Sequence, residues 1–249
     1  MTDAHAANAR SFGAAADLYD SIRPTYPAAA LRWLAGEAPV DVADLGAGTG
    51  LLTRGLVALG HRVTAVEPDE QMLTKLTAST TGIAAAHLGA AEALPLADAS
   101  ADVVTAGQAF HWFDRDRALP EIERVLRPGG VLAPIWNVRD ESAGWVKALT
   151  EAIGDSQGER DALAATEPGY FGGVFGEVEY QVFAHEWPMD RARLVRLVQS
   201  RSYYLTADEA KRASITAVVN ELVDTHPDLR GAESFAMPYK TFAFKARPV

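Results

Sequence analysis

The stretch Val40-Asp41-Val42-Ala43-Asp44-Leu45-Gly46-Ala47-Gly48-Thr49-Gly50 decides the fold. Its first six residues alternate as a strand does, three closely spaced glycines follow, and Leu51 to Leu59 then has helical character. Strand, glycine turn and helix are therefore consecutive. Glycines there let the backbone turn sharply and let a ligand approach where a Cβ would collide, while the helix start offers free N–H groups and its positive dipole end. The expectation is a nucleotide-like ligand; the competing reading is an ordinary tight turn. An NTP-binding loop would continue Gly-Lys-Ser/Thr, whereas Leu51-Leu52-Thr53 follows Gly50. The dinucleotide fingerprint would place its third glycine at position 51, and the spacing here is instead Gly-x-Gly-x-Gly.

Working outward, His61 to Glu67 reads as a second strand ending in an acid 21 residues beyond Gly46. That places the Glu67 carboxylate beside the glycine turn, where it can accept hydrogen bonds from ribose hydroxyls. Asp69 looks like the N-cap of the next helix. Ile83 to Leu88 is a weak third strand and Ala101 to Ala106 a fourth. Asp114 to Leu126 reads as a helix stopped by Arg127-Pro128-Gly129-Gly130, and Val131 to Trp136 as a fifth strand. Upstream, an alanine-rich helix from Thr2 to Asp20 is closed by prolines, and Pro27 opens a helix over Ala28 to Ala35. Downstream come a helix around Ala143 to Ile153, a glycine-rich stretch at Gly169 to Gly176 and a strand at Val178 to Glu186. Helices at Arg191 to Arg201 and Asp208 to Thr225 and a last strand at Tyr239 to Ala246 complete the pattern. The βα alternation predicts an α/β, doubly wound, mostly parallel sheet with right-handed crossovers. With no repeat and no long linker, one domain over 1–249 is expected: N-terminal helices or lid at 1–36, ligand-binding core at 37–136, cap helices and last strands at 137–249.

Of the 249 residues, 48% are hydrophobic and 22% charged, enough apolar material for a real core. There is no cysteine, which excludes disulfides, thiolate zinc and iron–sulfur sites and cysteine nucleophiles. Acidic side chains outnumber basic ones 33 to 23, and the basic ones are dispersed, which argues against a nucleic-acid surface. No run of some 18 apolar residues occurs, and Met1-Thr-Asp-Ala-His does not open like a signal peptide. These features lead one to expect a cytoplasmic protein with no membrane or nucleic-acid partner. No pair of histidines sits at ligand spacing, so no metal site is expected, and no Gly-x-Ser-x-Gly marks a hydrolase.

Four motifs occur in order: Asp44 to Gly50, Glu67-Pro68-Asp69, Ala91-Glu92-Ala93-Leu94-Pro95, and Arg127-Pro128-Gly129-Gly130. Together they resemble the class I S-adenosylmethionine-dependent methyltransferases of the small-molecule type 11 sort, over about residues 15 to 136. Tyr19 to Pro27 and Gln108-Ala109-Phe110-His111-Trp112-Phe113 are similar to the trans-aconitate methyltransferase-like branch. The resemblance implies a Rossmann-like seven-stranded sheet with an antiparallel C-terminal strand, S-adenosyl-L-methionine as cofactor and a small-molecule acceptor, in a monomer or homodimer. It implies that Gly46, Ala47 and Gly48 approach the methionine and ribose with their backbone and that Asp44 orients the turn or the amino group. Pro68 and Met72 would line the adenine face, and Ala91 and Glu92 would bracket its edge. Many relatives carry an acid where this chain has Ala90, so which group reads the exocyclic amine stays open, with Glu92 the candidate. Gln108 and Ala109 would flank the sulfonium, and Tyr19 and Arg23 would close over the methionine carboxylate.

His111 has two readings: a general base that takes the acceptor's proton near neutral pH, or part of a packed aromatic segment that shapes the pocket. In-line positioning alone supplies roughly 7–11 kcal/mol, so a base is not required. The helical pieces near Tyr170, Trp187 and Tyr203-Tyr204 would form the cap over an acceptor. Phe110, Trp112, Phe171, Tyr203 and Tyr204 suggest an aromatic lining, and Arg115, Arg117, Arg139 and Arg201 either hold a carboxylate or face solvent. The alternatives are an NAD(P)-dependent oxidoreductase, disfavoured by Leu51, and a non-catalytic module that keeps the cofactor site.

Overall fold

The computed structural model of the protein describes residues 22–249. Around the glycine turn the elements follow the expected order. Helix α1 (Ala28–Ala35) ends at Gly36, whose φ of 84° only glycine adopts readily. Strand β1 (Asp41–Leu45), helix α2 (Leu51–Ala58), β2 (Arg62–Glu67), α3 (Glu70–Ser79), β3 (Ala85–Leu88) and β4 (Ala101–Gly107) come next. Asp69 does cap α3, its carboxylate accepting from the N–H groups of Gln71 and Met72 at 2.9 and 3.0 Å. A 3-10 turn at Phe110–Trp112, α4 (Arg115–Val125) and β5 (Leu126–Arg139) complete the first half.

The helix before Arg127-Pro128-Gly129-Gly130 ends at Val125 as expected, and those four residues form the irregular start of β5, which therefore begins earlier than Val131. Leu126 already pairs with Ala101, the register then shifts, and Arg127 bonds Asp102 at 2.9 Å and Asp41 at 3.0 Å. The second half also holds a helix the sequence did not suggest, α6 (Gln157–Ala164), beside α5 (Gly144–Ile153), α7 (Arg191–Gln199), α8 (Ser202–Leu205), which is the helical piece at Tyr203-Tyr204, and α9 (Glu209–Thr225), whereas Trp187 lies in a strand rather than in a helical piece. Strands β6 (Phe175–Met189) and β7 (Phe235–Pro248) run longer than the alternation suggested, because they pair with each other along almost their whole length.

The seven strands form one sheet in the order β3-β2-β1-β4-β5-β7-β6. β1 to β5 are parallel, and β7 runs antiparallel to both β5 and β6. The central strands β1 and β4 are largely buried on both faces, as their apolar runs require, whereas the edge strand β3 is half-exposed. On one face α1 and α2 pack Leu31, Leu34, Leu52 and Leu56 over Val42, Val103 and Ile135. On the other, α4 packs Leu119 and Ile122 with Phe110, Trp136, Phe171 and Phe244. A third cluster joins α5, α7 and α9 through Val146, Leu194, Leu197, Val219 and Val223 to Met189, Met237 and Tyr239 at the ends of β6 and β7. The strand order reverses between β1 and β4, so a crevice opens beyond their carboxyl ends, where ligands of open α/β sheets bind.

Candidate functional site

That crevice is a cavity of about 260 Å³. Its first wall is the glycine turn. Gly46 and Gly48 have φ of 61° and 58°, in the left-handed region that glycine adopts freely. A Cβ on Gly46 would lie 2.8 Å from the Cβ of Ala109, so the turn and the end of β4 approach as closely as glycine permits; at Gly48 a Cβ would meet nothing within 4 Å, leaving room on the ligand side. Ala47 lines the same wall.

Two acids stand behind the turn. Glu67 ends β2, is 6% exposed, and accepts the Gly48 N–H at 2.8 Å through Oε2 and the Asp69 N–H at 2.9 Å through Oε1. Burial raises its pKa, opposed by those two hydrogen bonds. Asp44, fully buried at the end of β1, accepts the Thr53 hydroxyl at 2.6 Å with Oδ2, while Oδ1 has no hydrogen-bond partner among the described residues. Burial, reinforced by the nearby Glu67 charge, pushes the Asp44 carboxyl up to about 7, against the lowering effect of Thr53.

Pro68 and Met72 border the cavity next, and Met72 also belongs to the buried interior at 5% exposure. Ala90, Ala91 and Glu92 follow. Glu92 is partly committed, since its Oε1 accepts the Asp114 N–H at 2.8 Å at the start of α4. On the far side of β4, Gln108 has φ of 55°, a left-handed conformation costing about 1–3 kcal/mol in a non-glycine residue. It is held there by its N–H to Ile135 O and its Nε2 to Asn137 O, both at 2.9 Å. Ala109 and His111 also border the cavity. His111 Nδ1 accepts the Trp136 indole N–H at 3.4 Å; an indole nitrogen only donates, so the neutral imidazole carries its proton on Nε2.

The structure adds cavity residues the sequence reading did not single out. Tyr26 joins Arg23 on the segment before α1, which Asn137 anchors by donating to Thr25 O at 3.0 Å. Arg23 reaches the cavity and also donates to Ser200 O at 3.0 Å, so it serves both as a wall and as a dock to the end of α7. Ser156, Gln157 and Gly158 come from the start of α6, whose capping box, Ser156 with Glu159, has the legible form Ser-x-x-Glu. Tyr19 lies outside the described residues.

The four candidate arginines separate. Arg115 stacks 4.3 Å over the Tyr170 ring, Arg117 is exposed, and Arg139 is buried against Glu159 with Nε–Oε1 at 2.7 Å; Arg201 alone of them borders the cavity. Of the suggested aromatics only Trp112 does so. Phe110 and Phe171 are buried in the core at 0% and 1%, Tyr170 packs against both, and Trp187 donates its indole N–H to Ile22 O at 3.1 Å.

Comparison with known proteins agrees with this geometry. The methyltransferase domain family matches residues 43–133. An uncharacterized methyltransferase of Mycobacterium tuberculosis is 44% identical over 240 residues, 95% of each chain. One from Schizosaccharomyces pombe is 32% identical over 240 residues, 93% of this chain and 94% of its own. A solved structure from Anaeromyxobacter dehalogenans, provisionally named a type II methyltransferase, superposes with a TM-score of 0.70 at 28% identity, covering 91% of this chain and 97% of that one. These relatives do not single out the trans-aconitate-like branch, and they displace the oxidoreductase alternative. With a relative this similar over almost its whole length, and with the sheet order and glycine turn described above, the chain belongs to the class I S-adenosylmethionine-dependent methyltransferases.

Proposed function

We propose that the crevice between β1 and β4 binds S-adenosyl-L-methionine and delivers its methyl group to a small-molecule acceptor. The observation that carries this reading is the pair of buried acids, Asp44 with its unpartnered Oδ1 and Glu67, at the edge of a cavity that Gly48 leaves open. Buried carboxylates need a donor or a positive charge, and the cofactor's ammonium, sulfonium and ribose hydroxyls supply both. When bound, it brings an electrophilic methyl group on sulfur.

The chain's own residues then have distinct tasks. Gly46, Ala47 and Gly48 admit the ligand against the backbone. Glu67 keeps an acceptor site on each oxygen after its two backbone bonds, enough for two ribose hydroxyls. Asp44 orients the amino group. Pro68, Met72 and Ala91 form the adenine slot, and the second oxygen of Glu92 reads the adenine edge. Gln108, held beyond β4 by its two hydrogen bonds, with Ala109 and Arg23, borders the methionine end. His111, with Nδ1 engaged by Trp136, offers an Nε2–H that orients the acceptor by donation, and it acts as a base only when that contact is given up. Positioning is therefore the main source of rate.

Titration calorimetry with S-adenosylmethionine and S-adenosylhomocysteine, followed by labelled methyl transfer to a panel of phenols, amines and carboxylic acids, tests the proposal. Micromolar binding of both with transfer to a panel member is expected. No binding at millimolar ligand overturns the reading. Binding without transfer to any acceptor favours the non-catalytic module.

A further inference from the structure

Asp44 and Glu67 are both buried carboxyls on the wall of one cavity, yet their surroundings treat them differently. Glu67 accepts one amide with each oxygen, the Gly48 N–H at 2.8 Å and the Asp69 N–H at 2.9 Å, and donors of that kind favour the charged form. Asp44 is 0% exposed, and among the described residues Thr53 alone donates to it, its hydroxyl reaching Oδ2 at 2.6 Å, while Oδ1 has no partner. An ionised carboxylate buried with one oxygen unsatisfied is destabilised, and a negative neighbour destabilises it further. The same carboxyl holding a proton escapes both penalties.

No element packed on Asp44 supplies a cation in place of that proton. In the sheet it lies in register with Ala65 of β2 and with Thr105 of β4, whose hydroxyl donates to Ala133 O at 2.6 Å. From α2 come Thr53 and Arg54, and Arg54 donates to Thr49 O and Ser79 Oγ. The charged and titratable groups elsewhere on the cavity wall are Arg23, Glu67, Glu92, His111 and Arg201. Of these it is the Glu67 charge that acts on Asp44, and it adds to burial in raising the carboxyl to about 7.

We infer that Asp44 is protonated in the free protein and gives that proton to solvent when S-adenosylmethionine binds, the cofactor's ammonium taking over the role of the proton, so that cofactor occupancy falls as the medium acidifies. One O–H bond breaks, one proton leaves for solvent, and the carboxylate that remains is paired by a fixed positive charge. The inference rests on the cofactor reading above and adds the regulation of that site.

The test is titration calorimetry of the full-length protein with S-adenosylhomocysteine, which carries the same ammonium, at pH 6 in two buffers of different ionisation enthalpy. The difference in heat counts the protons released. About one proton per bound ligand is expected at pH 6, fewer at pH 8, with an affinity that weakens by up to about tenfold per pH unit below neutrality. 5′-Methylthioadenosine, which lacks the amino-acid portion, should bind without proton release, and Asp44→Asn should lose both the release and the pH slope. Equal heats in the two buffers at pH 6, equal release with methylthioadenosine, or release that persists in Asp44→Asn overturns the inference. The wild-type buffer comparison decides the matter even where the variant does not fold. A protein that binds no S-adenosylhomocysteine at either pH instead overturns the cofactor reading, so the two failures are told apart.

Discussion

Glu67 accepts the Gly48 and Asp69 amides with its two oxygens and lines the cavity. Glu67→Ala should weaken S-adenosylhomocysteine binding tenfold or more, about 1.4 kcal/mol, in calorimetry on protein shown to be folded by circular dichroism. An unchanged affinity would remove this carboxylate from the site. Asp44 predicts a pH effect of unusual direction for an acid. Burial raises its pKa from 3.8 to about 7, so between those values the unfolded chain has released this proton while the folded chain retains it. Stability from this group is therefore lost as pH rises from about 4 to about 7. Asp44→Asn keeps an acceptor for Thr53 and removes the titration. Urea unfolding at pH 5 and pH 8 should show the variant gaining on the wild type as pH rises, and parallel profiles would count against it. Both acids were readable from the sequence because they lie on consecutive strands at a fixed distance from the glycines. The partner that engages Glu92, the Asp114 amide at the start of α4, was not.

Among the elements, α6 carries the most unexpected role. A buried ion pair fastens it to β5: Arg139 and Glu159 side chains are 5% and 4% exposed, and Arg139 also donates to Gly154 O at 2.9 Å. Burial alone would raise the Glu159 pKa, but the Arg201 and Arg139 charges override it and hold the carboxyl down to about 2. Its stabilising effect is present at neutral pH and is lost as pH falls from about 4.5 toward 2. Arg139→Met deprives that buried carboxylate of the cation hydrogen-bonded to it, at a cost of up to about 3–5 kcal/mol. Adding Glu159→Leu should recover most of the loss in denaturant titration, since an apolar pair of similar volume does not carry the desolvation penalty. Failure to recover would show that the capping box, not the ion pair, dominates. The helix itself was legible in Ser156-Gln157-Gly158-Glu159. Its eight residues and a glycine in the first turn hid it from a search for apolar periodicity.

On the scale of the whole molecule, the sequence reading and the structure part company along a physical line. The glycine turn, Glu67 and the order of β1 to β5 follow from local rules, because each βα unit specifies its neighbour. Arg115, Arg117, Arg139 and Arg201 are indistinguishable as sequence. Only the docking of the later helices makes one a stacking partner, one a surface charge, one a buried ion and one a wall of the cavity. That docking depends on β7, which sits between β5 and β6, and on the cluster that ties α5, α7 and α9 to Met189, Met237 and Tyr239. Strand β6 pairs with β7 alone, and 45 residues separate them. The placement of β7 inside the sheet therefore sets a timetable. Closing so long a loop is slow relative to joining adjacent βα units, so pulse-labelled hydrogen exchange during refolding should find β1, β2 and β4 amides protected before those of β6 and β7. Simultaneous protection would refute that order. The wall with Glu67 then matures ahead of the wall with Arg201, and the cavity is complete only after the last strands and the helices docked on them are in place.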